Sequence, residues 1–476
     1  MRGMRSIGKK PSWLLFVVVA LSSVFLSQSA VAGTLDVRTE EGPPLQIDSS
    51  WRQYKKIPSF FREVADEPEK FFYLEPDGLK DVARTALVEN PELKQAEAEW
   101  NALLHRVRRV SALPDPNLAV TAFLESVETR VGPQEAVLIF TQKLPWFGKL
   151  SGAGQAAMEV ALEKAWEWRS LQRGTVLEIK EAYYDLVYLA EALRITQEDL
   201  ATLRRYEEIA LTRYATGKGI QQNVVKVQSE VTRLNERKII LGRQRDVARR
   251  RLARLAGTPL VEYRVRTEEP SMPAVPVNLQ DLYGRVHAGR DELQARLHAL
   301  RARQEEVRLA KKQFWPDLTL GLNYIIVGDR QDPAGILNPP EDDGKDAVGV
   351  IASINLPIWY HKVRAGVDEA RLKEMQARAA YARQEDRVIY EVQDAYVNLE
   401  SLLEQWRLYQ DTLVPQAKQS RDSTEAAYET GKLTFLELLD SERFLLNVRY
   451  GFAKVRSEYL IALARMERAL GVRFPG

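Results

Sequence analysis

The feature that most constrains this chain is that it carries one pattern twice. Tyr214-Ala-Thr-Gly217-Lys218 returns as Tyr428-Glu-Thr-Gly431-Lys432, 214 residues further on. Glu178–Tyr183 parallels Glu391–Tyr396, Lys143-Leu-Pro-Trp146 parallels Asn355-Leu-Pro-Ile358, and Leu255-Ala-Gly257 parallels Ala469-Leu-Gly471, all at offsets of 212–214. A repeat of this size is a statement about the whole fold, so the chain reads as two copies of one unit. Each unit reads as strand, strand, very long helix, tight turn, long helix. A glycine ends the longer helix in both copies, because glycine enters the left-handed conformation without a Cβ penalty.

The strands carry period-two patterning. Leu318, Leu320, Leu322 and Tyr324 alternate with Asp317, Thr319, Gly321 and Asn323. Val348, Val350, Ala352, Ile354 and Leu356 alternate with Ala347, Gly349, Ser353 and Asn355, with Ile351 the misfit. In the first copy Leu118, Val120, Ala122 and Leu124 share a face of a strand over about 117–127. A second strand follows over about 136–144, with Gly132-Pro133 in the turn between them. The second-copy strands are expected over about 317–327 and 347–356. Segments of about ten residues that alternate apolar and polar are the pattern of a membrane β-barrel with a wet lumen. The same alternation fits a soluble, half-buried sheet. Residues 328–346 are rich in Asp, Pro and Gly and read as a long exposed loop. At the other strand ends stand Pro145, Trp146, Phe147, Trp315, Pro357, Trp359 and Tyr360. Aromatics at one level suit an interfacial girdle or the packing of a strand–helix junction.

The helices carry heptads. Residues 150–214 would run roughly 97 Å at 1.5 Å per residue. Ile179, Leu186, Leu193, Leu200 and Tyr214 keep a seven-residue step, as do Leu438, Leu445, Phe452, Tyr459 and Met466 after Gly431. Such stripes are coiled-coil seams. The helical hairpins are expected over about 150–256 and 362–470, with Pro415 the one interruption between 367 and 430.

The remaining segments divide simply. Arg2, Arg5, Lys9 and Lys10 precede an apolar run from Trp13 to Leu26 and a small-residue site, Ala30-Val31-Ala32. That is a secretory signal peptide over 1–32. An N-terminal periplasmic arm follows over 33–78, then the first repeat over 79–257. A proline-rich linker over 258–278, the second repeat over 279–471 and a tail over 472–476 complete the chain. A formal net charge of +2 gives no reason to expect nucleic acid. With no cysteine and four histidines at no ligand spacing, no metal site and no cofactor are expected, nor an acyl anchor on an N-terminal cysteine. No nucleophile, metalloprotease or phosphate-loop motif is present, so an enzyme is not expected.

Four strands cannot close a barrel, and an open sheet edge cannot face lipid. If the strands span a membrane, several copies of the chain must share one barrel. The duplicated unit, Leu113-Pro-Asp-Pro116, Gln142-Lys-Leu-Pro-Trp-Phe-Gly-Lys149, the two Tyr-x-Thr-Gly-Lys turns and Leu433–Asp440 together resemble the TolC-like outer-membrane efflux proteins, over roughly residues 79–471. The resemblance implies a mainly α chain with a membrane β-barrel: a homotrimer whose twelve strands, four per chain, stand on a coiled-coil periplasmic tunnel. It implies outer-membrane lipid, a periplasmic adaptor and an inner-membrane transporter as partners. It places acidic residues at the narrow periplasmic aperture, matched here by Glu437 and Asp440. It puts adaptor docking at the hairpin tips, matched by Gly217, Lys218, Gly431 and Lys432. The first-copy equivalents of the acidic pair are Asn223 and Lys226. The wording of the proline-rich motifs leans to heavy-metal ducts that pair with resistance-nodulation-division pumps. A duct for type I protein secretion shares the fold, and a periplasmic coiled-coil adaptor shares the hairpins.

Overall fold

A computed structural model describes residues 35–37, 45–47, 63–64, 66–258, 289–330 and 332–474. The expected signal peptide, much of the arm and nearly all of the linker lie outside the described residues. Two compact units divide the chain: residues 1–60, 111–155 and 315–356 form one, and residues 61–110, 156–314 and 357–476 form the other. The units cut across the repeats. One gathers the strands of both copies, the other gathers most of the helices of both.

In the first unit, β1 (Leu35–Val37) and β2 (Leu45–Ile47) make a small antiparallel ribbon. The main sheet is antiparallel in the order β3 (Asn117–Thr129), β4 (Gly132–Leu144), β5 (Leu318–Val327), β6 (Ala347–Ile354). The two copies therefore meet at the centre, where β4 pairs β5. Registers align the expected faces across all four strands. Leu118, Phe140, Leu322 and Val350 form one cross-strand row, and Val120, Leu138, Tyr324 and Val348 form the next but one. The opposite face shows Ala119, Ile139, Asn323 and Gly349. Leu118 is 64 % exposed and Val350 80 %. A bulge between Ala122 and Val127 breaks the β3 ladder, so Leu124 drops out of the register its alternation implied.

The β3–β4 turn corrects the expectation. It is Arg130-Val131, and Gly132-Pro133 instead open β4. Gly132 adopts φ +121°, and an added Cβ would strike the Gly328 carbonyl. The segment after β5 is also more organised than a bare loop. It contains the short helix α7 (Pro333–Leu337), an Arg130–Asp342 ion pair, and a 2.8 Å bond donated by the Gly344 amide to the Val131 carbonyl.

The second unit holds α1 (Pro68–Phe71), α2 (Asp77–Glu89), most of α3 (Pro91–Ser111) and most of α4 (Lys149–Ala215). It also holds α5 (Gln221–Leu255), α6 (Asp291–Lys312), α8 (Tyr360–Leu408), α9 (Val414–Glu429) and α10 (Phe435–Leu470). The expected seam is buried at Ile179, Leu186, Leu193, Leu200, Leu438, Leu445, Tyr459 and Met466, while Tyr214 near the turn is exposed. Most of it falls into two clusters, with Leu445 in a third beside Ala417 and Val448. One packs Ile179, Tyr183 and Leu186 with Val388, Val392 and Met466; the other packs Leu200 and Leu203 with Leu438, Leu439 and Leu446. At ~25 cal/mol per Å², burial of such stripes dominates the stability of helices this long.

The second-copy helix is not continuous. A π turn over Tyr409–Leu413 separates α8 from α9, and the Val414 amide bonds the Tyr409 carbonyl. Pro415 is the physical cause: it has no N–H to donate and its ring crowds the preceding turn, so the ladder widens by one residue ahead of it. Gly451 on α10 makes room, since a Cβ there would lie 2.5 Å from the Tyr409 hydroxyl. Among the described residues no helix is long and apolar enough to cross a membrane.

Candidate functional site

Two sites emerge, one in each unit. In the sheet unit, the residues expected at the strand–helix junction converge on a group the sequence reading did not single out, Asp317. Its Oδ1 accepts from the Trp146 amide at 3.0 Å and from Lys149 Nζ at 2.7 Å, and its Oδ2 lies 3.1 Å from Lys143 Nζ. Lys149 is buried and also donates to the Trp315 carbonyl at 2.9 Å. The Trp146 and Trp315 rings stack at 5.2 Å with 7° between their planes, and Phe147 meets Trp146 edge-on at 5.8 Å. Asn355, which stands in the second copy where Lys143 stands in the first, accepts from the Asp317 amide. Buried Gln142 donates to the Pro114 carbonyl at 2.9 Å. Thus Pro145, Trp146, Phe147 and Trp315 gather at one knot that ties copy to copy, and Phe147 projects from it 86 % exposed. Pro357 and Trp359 belong to the other unit, where the exposed Trp359 ring packs edge-on against His361 at 6.0 Å.

In the helical unit the two turns share a backbone. Gly217 and Gly431 adopt φ of 71° and 75°. The Lys218 amide donates to the Arg213 carbonyl at 2.8 Å, and the Lys432 amide to the Ala427 carbonyl at 2.9 Å. Both lysines are exposed. The Arg213 guanidinium lies 4.3 Å from the centre of the Tyr428 ring, which brings first-copy α4 against second-copy α9 beside the turns. Tyr428 in turn packs on Phe435 at 5.6 Å.

The acidic pair lies on the exposed face of the first turns of α10. Glu437 has a local task there. Its carboxylate accepts from the Thr434 amide and hydroxyl at 2.7 Å each, while its own amide donates back to the Thr434 oxygen at 3.4 Å. This is a complete capping box. The Thr434 amide, then its hydroxyl, hold the Glu437 carboxyl below the usual glutamate range. Asp440 pairs with Arg443 at 3.0 Å, and Arg443 reaches across to Glu230 of α5. Sequence reasoning named the acids but missed Arg443 and Glu230, because they lie 213 residues apart with no shared local pattern.

The chain is similar to outer-membrane efflux proteins in sequence and in fold. The family model described as "Outer membrane efflux protein" matches residues 82–258 and 282–472. The probable efflux pump outer membrane protein SepC of Pseudomonas putida strain F1 is 23 % identical over 463 residues, covering 93 % of this chain and 94 % of its own. Outer membrane protein TolC of Escherichia coli K12 is 22 % identical over 417 residues, covering 83 % and 82 %. Among solved structures, the outer-membrane channel OprN superposes with a TM-score of 0.71 at 18 % identity, covering 93 % of this chain and 99 % of that one. VceC from Vibrio cholerae gives 0.69 at 21 % identity, covering 84 % and 98 %.

Proposed function

The chain belongs to the outer membrane efflux protein family and is an outer-membrane efflux channel, and from that premise we propose a homotrimer that closes one twelve-stranded barrel in lipid. The observation that carries this reading is the four-stranded sheet. One of its faces is built of apolar rows, and the outer edges of β3 and β6 have no ladder partner among the described residues. Within hydrocarbon such edges must be paired, and copies of the chain supply the pairing. At 13 residues, β3 and β4 exceed the ~9–11 a tilted strand needs to cross a bilayer. The apolar rows then face lipid, and the row of Asn323 and Gly349 faces the lumen.

In this reading the long helices form a periplasmic tunnel. The turns at Gly217-Lys218 and Gly431-Lys432 meet a periplasmic adaptor, which joins the duct to an inner-membrane transporter. Curated relatives include a toluene efflux pump protein and an antibiotic efflux pump protein, which favours small toxic compounds as cargo. The wording of the Gln142–Lys149 motif keeps metal cations beside them. Light scattering of the detergent-purified chain tests assembly. About three chains per particle are expected, and a monomer with full β content overturns the shared barrel.

Glu437 and Asp440 from three chains would ring the periplasmic opening, where clustered carboxylates attract cations. Glu437→Gln with Asp440→Asn removes the charge and keeps the size. In planar bilayers this pair is expected to weaken cation preference and block by multivalent cations. Unchanged block at the same cation concentration removes both residues from the constriction.

A further inference from the structure

The seam between α4 and α10 contains two acids that the duct reading leaves unused. Asp199 on α4 and Glu442 on α10 are each 4 % exposed. Their helix neighbours Leu200, Leu203, Leu438, Leu439 and Leu446 pack in one buried cluster, and the two carboxyls lie within hydrogen-bonding reach of each other. The Tyr206 hydroxyl of α4 lies 3.5 Å from Glu442 Oε2. Two cations also face the pair, Arg421 towards Glu442 and both Arg421 and Arg449 towards Asp199, yet each has other acids to serve. Arg449 of α10 pairs with Glu198 of α4, and Arg421 of α9 pairs with Asp422 at 2.8 Å and Glu425 at 3.7 Å. Arg237 of α5 sits over the Tyr450 ring at 4.0 Å, with that ring between α5 and the seam. Those groups complete the surroundings: Glu198, Tyr206, Arg421, Glu425, Arg449, Tyr450 and Arg237. At the repeat offset of 214, the counterparts of Asp199 and Glu442 are Leu413 and Gln228, so the equivalent positions carry no acid.

Two carboxylates held together away from water cannot both ionise cheaply. One proton between them turns repulsion into a charge-assisted O–H···O⁻ bond, among the stronger hydrogen bonds in proteins. We propose that Asp199 and Glu442 share a single proton that latches α4 to α10, and that loss of this proton loosens first-copy helix from second-copy helix next to the turns. Glu442 lies 11 residues beyond Gly431, so the latch acts within about three helical turns of the tip.

Burial, then the charge of Glu442, push the Asp199 carboxyl up to about 8, from 3.8 for a free aspartate. The closed seam therefore holds a proton that the opened seam releases throughout that window. Stability contributed by the latch is complete below pH 3.8, falls as pH rises, and has no more to lose above about pH 8.

Hydrogen exchange of the full-length detergent-purified protein, corrected for intrinsic rates, tests this. The opening constant for backbone amides of 436–450 should rise with pH by up to about tenfold per unit between pH 5 and 8, then level off. Asp199→Asn and Glu442→Gln, each of which removes the need for a titrating proton, should flatten that slope. Equal slopes in wild type and both variants overturn the latch. If neither variant folds, infrared titration of the wild type decides. A protonated-carboxyl absorption that persists at pH 7 and fades near pH 8 is expected, and its absence at pH 7 overturns the proposal.

Discussion

The first-copy turn at Gly217 and the second-copy turn at Gly431 have the same backbone and different dress. Each glycine is left-handed, and each is followed by a lysine amide bonded five residues back. Beyond that the copies part. Ile220, at the start of α5, offers no side-chain cap, whereas Thr434 at the same point before α10 closes a capping box with Glu437. Asn223 and Lys226 stand where the second copy has Glu437 and Asp440. The duplication kept what closes a hairpin and let charge and capping diverge. The seam shows the same division. Lys180 and Glu467 form a buried ion pair between α4 and α10, and the positions offset from them by 213 and 214 are Gln393 and Ala253.

That ion pair gives the largest expected break between the copies. Glu467 is buried and also accepts from the Tyr73 amide at 2.7 Å and the Phe474 amide at 3.2 Å, so it ties the segment before α2 and the tail after α10 to α4. Lys180→Met keeps the length of the side chain and strands the carboxylate. A loss of about 3–5 kcal/mol is expected, read from the chemical denaturation midpoint. The mirror change Gln393→Met, at an exposed site, should move it by less than about 0.5 kcal/mol. Equal losses would mean that the pair does not set the two copies apart.

The glycines test the shared part. A Cβ at Gly217 or Gly431 would meet nothing within 4 Å, so Gly→Ala there costs only left-handed strain. About 1–2 kcal/mol is expected at each, with the two turns agreeing in thermal denaturation. A marked inequality would show that one turn relaxes and the other does not.

How much of this was legible follows from distance along the chain. Strand alternation, heptads and the Gly-Lys turns are local signals, and they located four strands and two hairpins to within a few residues. The bonds that organise the sites are not local. Lys149 finds Asp317 across 168 residues and Lys180 finds Glu467 across 287. No period or spacing announces such pairs. Pro415 was visible, but its consequence was not, because the π turn needs Gly451 on another helix to accept the Tyr409 ring. The turn at Arg130-Val131 was misplaced by two residues because Gly-Pro is a strong turn signal. Here the glycine serves the close approach of the Gly328 carbonyl instead.

The smallest effect sharpens the comparison most, because it moves the second copy's dress onto the first. Ile220→Thr with Asn223→Glu rebuilds the Thr434–Glu437 arrangement at the start of α5, where the backbone of Ile220 is extended as a cap residue requires. The threonine oxygen would take a first-turn amide that now lacks a side-chain acceptor. A gain of about 0.5–1 kcal/mol is expected from that cap, against a loss of similar size for Thr434→Ala. Acid should erase the glutamate's share at both sites. The folded Glu437 carboxyl titrates below its free value of 4.5, so what it adds is present above that pH and fades as pH falls through its lowered range. Denaturation at pH 7 and again near pH 3 reads both steps. A transplant with no gain at neutral pH would mean that the two turns differ in backbone after all, and that the second-copy acids are positioned by more than the box that holds Glu437.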